Sequence, residues 1–478
     1  MAIGNTFNSI WLSRRGRSGR PRGLIASCAL GSSLLLAGCM SVPVPDLPNS
    51  TPTTWSSPAP AGGAPVDLQQ WWRALGDPTL DALVDEVVGS NLDLRQATLR
   101  LQAARLVAGT WRSGFLPAIT ATAKPTQDAS ARDSYYQAGI EAAWEPGLFG
   151  SADSSRLLAL AAAGNAESLR NAAQVTVVAG VVRSYLDLAV AQGQLGLRQQ
   201  EEALDARAEQ MAATRQRLGL AELGEQDRAR VKHEASRAAV AQMKDAADSA
   251  ARALALLLGR DAPDPAWQGI RTLPTLGAFH VQQLPADMLR QRPEVALAEA
   301  EVMRAAGEHG MARAALYPRF SLGGSIVYSY NITQNARVHT DSSPSFGPYI
   351  DIPLWDWGQR RAREQAGDKE LDAALVGYRK AVLEGVSEVE TALSSLDRQQ
   401  ASIQSLRAAG EVAGKQVQQQ GRRVVLGLSS DFDGLELQRT ALGTQADLIG
   451  AEGMRLLAFV SLYRALGGAA PPPEEPIE

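Results

Sequence analysis

Residues 197–220 read LRQQEEALDARAEQMAATRQRLGL. Leu197, Leu204, Met211 and Leu218 fall seven apart in a background of Gln, Glu and Arg, with Ala208 supplementing the stripe. That is the spacing of a coiled-coil seam. The run stops at Leu218-Gly219-Leu220, where glycine supplies the positive φ that turns a helix back. No proline falls between Pro146 and Pro263, so a helix from Ser151 to Leu218 extends roughly 100 Å at 1.5 Å per residue. A second helix then returns to Leu257.

The reversal occurs twice. Leu218-Gly219-Leu220 matches Leu426-Gly427-Leu428, Phe149-Gly150 matches Trp357-Gly358, and Leu258-Gly259 matches Leu466-Gly467, each at an offset of 208 residues. Upstream, Phe115-Leu116-Pro117 pairs with Leu316-Tyr317-Pro318 at about 201, so the second copy carries a somewhat longer loop. The chain reads as two copies of one unit, about 79–259 and 287–467.

Each unit has one grammar. A helix (Leu92 to Gly114; Pro293 to Ala315) stops before Pro117 or Pro318, since the residue ahead of proline is pushed out of the helical region. Alternating stretches follow. Phe320, Leu322, Ile326, Tyr328 and Tyr330 alternate with Arg319, Ser321, Gly323, Ser325 and Ser329. Tyr136, Ala138, Ile140, Ala142 and Trp144 alternate with Gln137, Gly139 and Glu141. This is the period of strands with one apolar and one polar face. The spacing predicts β-hairpins at 117–146 and 318–354, and helical hairpins at 151–257 and 359–466.

Four strands of about 10 residues suit an outer-membrane barrel in length and alternation. Open sheet edges cannot stand in a bilayer, and barrels close with about eight strands at the least. The chain must therefore oligomerise if these strands span a membrane, and three copies supply twelve. Long antiparallel helices rich in small residues can likewise pack into a hollow cylinder. A coiled-coil stalk without a bore is the alternative, and the strand hairpins at the helix ends weigh against it.

The N-terminus places the chain in a cell envelope. Five arginines (Arg14, Arg15, Arg17, Arg20, Arg22) precede an apolar run from Leu24 to Gly38, shorter than the roughly 20 residues of a transmembrane helix. Residues 1–38 read as a signal peptide. Arg14-Arg15 lacks the hydrophobic residues that should follow a twin-arginine pair. Leu36-Ala37-Gly38-Cys39 resembles the lipobox of bacterial lipoproteins. The resemblance implies cleavage before Cys39, with N-palmitoyl and S-diacylglycerol groups added there; a buried cysteine in an ordinary signal is the alternative. Met40, where aspartate would imply inner-membrane retention, implies export to the outer membrane. Cys28 leaves with the signal and Cys39 is acylated, so the mature chain has no thiol pair for a disulfide or metal. Residues 39–65, rich in Pro, Ser, Thr and Gly, read as an extended lipidated tether.

Composition narrows function further. The formal charge of −4 falls to about −9 once the five signal arginines are removed, which disfavours nucleic-acid partners. His233, His280, His309 and His339 are scattered without metal-ligand spacing, and neither a phosphate-cradling glycine loop nor a G-x-S-x-G elbow occurs. No enzyme, cofactor or metal is expected.

Several segments together carry a family likeness: the lipobox; Trp71-Trp72 with Leu75-Gly76-Asp77-Pro78-Thr79-Leu80; and Arg290-Gln291-Arg292-Pro293-Glu294-Val295 leading through Ala298-Glu299 to Ala315. Leu316-Tyr317-Pro318, Leu354-Trp355-Asp356-Trp357-Gly358 and Tyr463-Arg464-Ala465-Leu466-Gly467-Gly468 complete it. Nearly the whole mature chain resembles TolC-type outer-membrane efflux proteins, nearest the OprM/NodT lipoproteins that serve resistance-nodulation-division (RND) pumps. The resemblance implies a mainly α protein with a β-barrel part: a homotrimer with a twelve-stranded transmembrane β-barrel continuous with a twelve-helix periplasmic α-barrel. It implies repeat 1 over 66–286 and repeat 2 over 287–478. An equatorial domain would be built from Val66 to Asn91, Arg260 to Leu289 and the C-terminal residues.

The resemblance also implies a periplasmic closure just after the second helical turn. Counted from Gly427, the positions are Phe432 and Glu436, four apart and so on one helical face, with Asp431 and Asp433 at the rim. For these acids, a helix-start carboxylate favoured by the dipole is the alternative. The turns Arg217, Leu218, Gly219, Leu220 and Leu426, Gly427, Leu428, Ser429 resemble the tips against which a periplasmic adaptor docks; simple helix reversal is their other reading. The implied function is the exit duct of a tripartite multidrug or solute pump, in the outer membrane, with adaptor, RND transporter and membrane lipid as partners. The competing classes are a conduit for type I protein secretion and a non-conducting coiled-coil lipoprotein.

Overall fold

The computed structural model describes residues 46–47, 54–60, 62–127, 134–269, 272–281, 289, 291–331, 341–468 and 470. The signal peptide, Cys39, His339 and residues 471–478 lie outside them. In chain order the elements are β1 (Ala64–Pro65), α1 (Pro78–Ser90), α2 (Leu92–Ala108), β2 (Ala118–Gln127), β3 (Ser134–Trp144), α3 (Ser151–Arg217), α4 (Glu225–Leu257), β4 (Phe279–His280), α5 (Pro293–Ala314), β5 (Arg319–Asn331), β6 (Asp341–Asp351), α6 (Gln359–Val425) and α7 (Asp431–Ala465). Helices α3 and α6 are 67 residues each.

The chain divides into two compact units. The first, formed by residues 117–153 and 314–354, is a four-stranded antiparallel sheet of order β2-β3-β5-β6. Register explains its two faces. Ile140 stands opposite Ala121 on one side and Ile326 on the other, and Tyr136 opposite Tyr330. Ile326 in turn faces Pro344, and Phe320 faces Ile350. Directly opposed side chains share a face and alternate along each strand, so most apolar residues of the four strands lie on one face, with Val327 and Tyr349 on the other. The apolar face is not covered within the chain: Ile140 is 57% exposed, Ile326 60% and Phe346 81%. The other face carries Thr120, Thr122, Gln137, Glu141, Ser321, Ser325 and Ser345, and the hydroxyls of Ser325 and Ser345 lie 2.8 Å apart.

The second unit is helical. Its core joins Trp71, Trp72, Leu75 and Leu80 to the middle of α3 (Val177 to Ala191), the end of α4 (Leu254, Leu258), Phe279, and α6 and α7 where Val389 to Leu396 and Leu456 to Leu466 run. Trp71 stacks on Tyr463 at 5.9 Å and meets Phe459 edge-on, and Phe459 meets Phe279 at 5.1 Å. Asp77 caps α1 by accepting from the N–H of Thr79 and Leu80, and its other oxygen accepts from the Tyr185 hydroxyl. One carboxylate thus satisfies a helix end and pins it to α3. Burial, with the Asp77 carboxylate beside it, raises the Tyr185 pKa, so the phenol stays a donor.

Two expectations need correction. The stretch before residue 65 is not a free tether along its whole length. Trp55 and Ala59 pack against the core, β1 pairs in parallel with β4, and Glu390 on α6 accepts the N–H of Ser56 and Ser57. A sequence poor in helix and strand formers can still be strapped down when its backbone donors meet a fixed carboxylate. Nor is the seam Leu197–Leu204–Met211–Leu218 the stripe buried in the chain. Leu197, Leu204 and Met211 are half-buried and Leu218 exposed, while Glu201, Asp205 and Ala212, beside them on the helix, are buried.

The landmark glycines have a shared cause. At the end of α3, Leu220 N–H bonds the Arg215 carbonyl and Gly219 N–H the Gln216 carbonyl; at the end of α6, Leu428 bonds Arg423 and Gly427 bonds Val424. This is the Schellman closure, which requires a left-handed residue at the penultimate position, and Gly219 and Gly427 have φ of 67° and 72°. The strand-to-helix turns match too: Phe149 and Trp357 have φ of 56° and 54°, which costs a non-glycine residue roughly 1–2 kcal/mol.

Candidate functional site

The two helix reversals and the first turns of α7 form the candidate site. The first reversal runs from Arg217 to Gly224 and the second from Leu426 to Ser430. Both present apolar side chains to solvent: Leu218, Leu220, Leu426 and Leu428 are exposed, and Leu223 is 100% so. Gly219 and Gly427 serve the reversal geometry, as above.

The second reversal is locked locally. Ser430 and Asp433 form a capping box at the start of α7, and Gln420 donates to Ser429 Oγ at 2.6 Å while Ser429 donates to Asp433 at 3.1 Å. Donors from the Ser430 side chain and backbone, and from Ser429, hold the Asp433 carboxyl below the usual range. The structure therefore places Asp433 in helix capping. Arg215 locks the first reversal: its Nε donates to Glu225 at 2.8 Å and Nη2 to the Leu220 carbonyl at 3.1 Å. The Arg215 hydrogen bond holds the Glu225 carboxyl low.

Each remaining predicted closure residue is engaged with the first helical hairpin. Asp431 pairs with Arg207 on α3. The guanidinium of Arg215 lies over the Phe432 ring, 5.3 Å from its centroid. Glu436 pairs with Lys232 on α4 at 2.7 Å. One turn on, Arg439 reaches into a buried acidic pair, Glu201 at 3.1 Å and Asp205 at 3.5 Å. Burial pushes the Asp205 carboxyl up, against the pull of Arg439, and its second oxygen has no hydrogen-bond partner. The links thus grade from exposed pairs at the helix start to a buried cluster at its third turn. Exposed pairs of this sort are worth about 0–1 kcal/mol, so the start of α7 is held loosely and the Arg439 position firmly.

Arg207, Arg215, Lys232, Arg439, Glu201 and Asp205 were not legible as site residues. Each sits among the many charges of a long helix, and only the pairing of separate helices singles it out. His233 and His309 sit against Glu209 and Glu364 respectively, far apart in sequence and on different helices.

Against this geometry, comparison with known proteins decides the family. A family model described as "Outer membrane efflux protein" matches residues 83–260 and 284–468. The chain belongs to the outer membrane efflux protein family. It is 27% identical over 472 residues to the pyoverdine export outer membrane protein OpmQ of Pseudomonas aeruginosa, covering 93% of this chain and 96% of that one. It is 28% identical over 459 residues to the outer membrane protein OprJ of the same species, covering 92% and 95%. The solved structure of the outer-membrane channel OprN is similar to it with a TM-score of 0.74 at 26% identity, covering 90% of this chain and all of that one. This outer membrane efflux protein thus has the fold of an outer-membrane channel, is located in the outer membrane and acts in efflux, in a family of passive channels rather than enzymes.

Proposed function

We propose that three copies of this chain form the outer-membrane exit duct of a tripartite pump, receiving solutes from a periplasmic adaptor and an inner-membrane RND transporter. The observation that carries the reading is the β2-β3-β5-β6 sheet with its uncovered apolar face. In a bilayer that face meets lipid, while the backbone groups of the outer strands β2 and β6 need partners. A neighbouring copy supplies them, and three copies close a twelve-stranded barrel. The two helical hairpins of each chain, α3–α4 and α6–α7, then contribute twelve helices to a periplasmic barrel built on a two-fold internal repeat.

The exposed leucines of the reversals are the surface offered to the adaptor. Phe432 from three chains makes an apolar plug, and Glu436 a ring of negative charge that favours cations; Asp431 lies at the rim and Asp433 caps the helix behind it. Cys39, with its N-palmitoyl and S-diacylglycerol groups, is a second attachment to the membrane. OpmQ is described as exporting pyoverdine; an organic solute of that kind, chosen by the inner-membrane pump, is the expected cargo.

Planar-bilayer recording of the purified trimer tests this. Low conductance is expected from the wild type, and a higher one from Phe432→Ala with Glu436→Gln. Folded trimer that conducts no ions under any condition removes the duct; unchanged conductance in the double variant removes these two residues from the closure.

A further inference from the structure

The duplicated plan has one position that is filled in the first copy and open in the second. In the first copy the chain leaves α4 through the left-handed Gly259 and passes Pro263 and Pro265 to reach the buried Trp267. Gln192 on α3 holds Trp267 by donating to its carbonyl at 3.0 Å, and Ala247 on α4 is buried in the same cluster. The offset of 208 residues carries Pro263, Pro265 and Trp267 onto Pro471, Pro473 and Glu475, and Gln192 and Ala247 onto Gln400 and Arg455. The exit from α7 is the same closure. Gly468 N–H bonds the Tyr463 carbonyl and Gly467 N–H the Arg464 carbonyl, as Arg260 and Gly259 bond Ala255 and Leu256.

Gln400 and Arg455 line a cavity of about 290 Å³, walled by Leu396 and Phe279 and by residues 58–60 of the strap. Among the described residues no carboxylate pairs with Arg455. Its one hydrogen bond, to the Leu276 carbonyl, is long at 3.4 Å, and nearby Glu452 is taken by Arg407 at 2.8 Å. Burial, with Arg407 close by, lowers the Arg455 pKa, which is the mark of a cation short of a counter-charge.

We propose that the acidic C-terminal segment of the chain, residues 471–478, docks in this cavity along the path that residues 263–267 take in the first copy. Glu475 pairs with Arg455, and its carbonyl accepts from Gln400. Where the first copy sets an indole in a cluster with alanine, the second sets a carboxylate against a guanidinium, a paired exchange that keeps each site satisfied. Glu475 stands as many residues beyond Leu466 as Trp267 does beyond Leu258, so its reach suffices. Asp397 also lines the cavity and is exposed; it disfavours a second carboxylate, so one acid enters. The docked segment closes the strap against α6 and α7, and it does so whether or not the chain conducts.

Carboxypeptidase digestion of the full-length protein in maltoside detergent tests this, with each rate divided by that of a synthetic peptide of residues 471–478 carrying the same substitution. Removal of residue 475 is slow in the wild type and about fivefold faster in Arg455→Met and in Glu475→Gln, the upper end for a half-buried ion pair. The two together do no more than either. Arg455→Glu with Glu475→Arg restores the slow rate, which a mere loss of packing at residue 455 would not allow. Proximity is read separately. Gln400→Cys with Glu475→Cys supplies the free thiols of a mature chain whose Cys39 is acylated, and a short bis-maleimide joins them within one chain, whereas Gln192→Cys with Glu475→Cys stays unjoined. A wild-type rate equal to that of the peptide, an unchanged rate in Arg455→Met, or additive effects overturn the pairing. No cross-link to residue 400, or one that joins two chains, overturns the docking, and that result stands even where Arg455→Met fails to fold.

Discussion

Replacing Gly453 by alanine should force α7 away from α3 where Gly453 faces Val190. A Cβ at Gly453 would lie 2.4 Å from Cγ2 of Val190, with the other two Val190 carbons at 3.7 and 3.9 Å. One methyl carries the whole clash, and it belongs to a valine, whose χ1 in a helix is held about 90% in a single well. It cannot swing away, so the backbones must part. Overpacking of this kind costs about 1–3 kcal/mol, and the helix preference for alanine over glycine returns about 0.5–1 kcal/mol. The net expectation is a loss of about 0–2.5 kcal/mol per chain. Val190→Ala alone should cost about 1.5 kcal/mol for two lost methyl contacts. In the double variant the new Cβ occupies the vacated space, so the double should be more stable than the sum of the singles by about 1 kcal/mol or more. Guanidinium unfolding of the detergent-solubilised protein, followed by helix signal, measures all four corners of the cycle. Additive singles, or a Gly453→Ala protein more stable than the wild type, would refute the argument from the 2.4 Å approach.

Three other expectations come from charge. Arg439→Met leaves Asp205 buried without the cation paired to it, while Glu201 keeps Arg198 at 2.7 Å, and should destabilise the chain by about 3 kcal/mol, the low end for a broken buried pair, whereas adding Asp205→Leu should recover most of the loss; an unfolding midpoint that falls further with the second step would contradict this. Asp205→Asn alone should raise the unfolding midpoint at neutral pH, because burial raises the folded carboxyl above its unfolded value. The ionised acid therefore costs stability above that raised value, and the advantage of Asn should shrink as the pH falls through it; a lower midpoint at neutral pH would count against it. Burial pushes Glu390 up but the Ser57 and Ser56 donors outweigh it and hold its carboxyl low. The stability it adds is complete above the ordinary carboxylate value and is lost only as the pH falls through the lower folded one, so limited proteolysis near residues 54–60 should stay slow at pH 5 and quicken in Glu390→Gln at pH 5 and above; equal rates in both proteins there would remove Glu390 as the clamp.

Periodicity made much of this architecture legible. The strand alternation from Phe320 to Tyr330 is a local property, since side chains on a pleated backbone alternate whatever else is nearby. The Leu-Gly-Leu reversals are local as well, because a Schellman closure needs its left-handed residue within four positions of the carbonyls it satisfies. The candidate closure residues were only half legible. Phe432 and Glu436 could be placed by counting from Gly427, but their partners Arg215 and Lys232 lie more than 200 residues away, and no spacing rule links two helices separated by a sheet-forming segment.

The heptad stripe shows where local pattern misleads. Leu197, Leu204 and Met211 have the apolar spacing, yet the chain buries Glu201 and Asp205 beside them because Arg439 approaches from α7 and makes a charged stripe tolerable. The sequence by itself determined the elements, their reversals and their repeated order, all of which depend on neighbours within a few residues. The tertiary structure alone decided which stripe of α3 is buried, that residues 54–60 are strapped to α6, and that Asp433 caps a helix while Phe432 lies under an arginine from the opposite hairpin. Those outcomes depend on which helices meet, and contact energies between distant segments leave no periodic trace in either one.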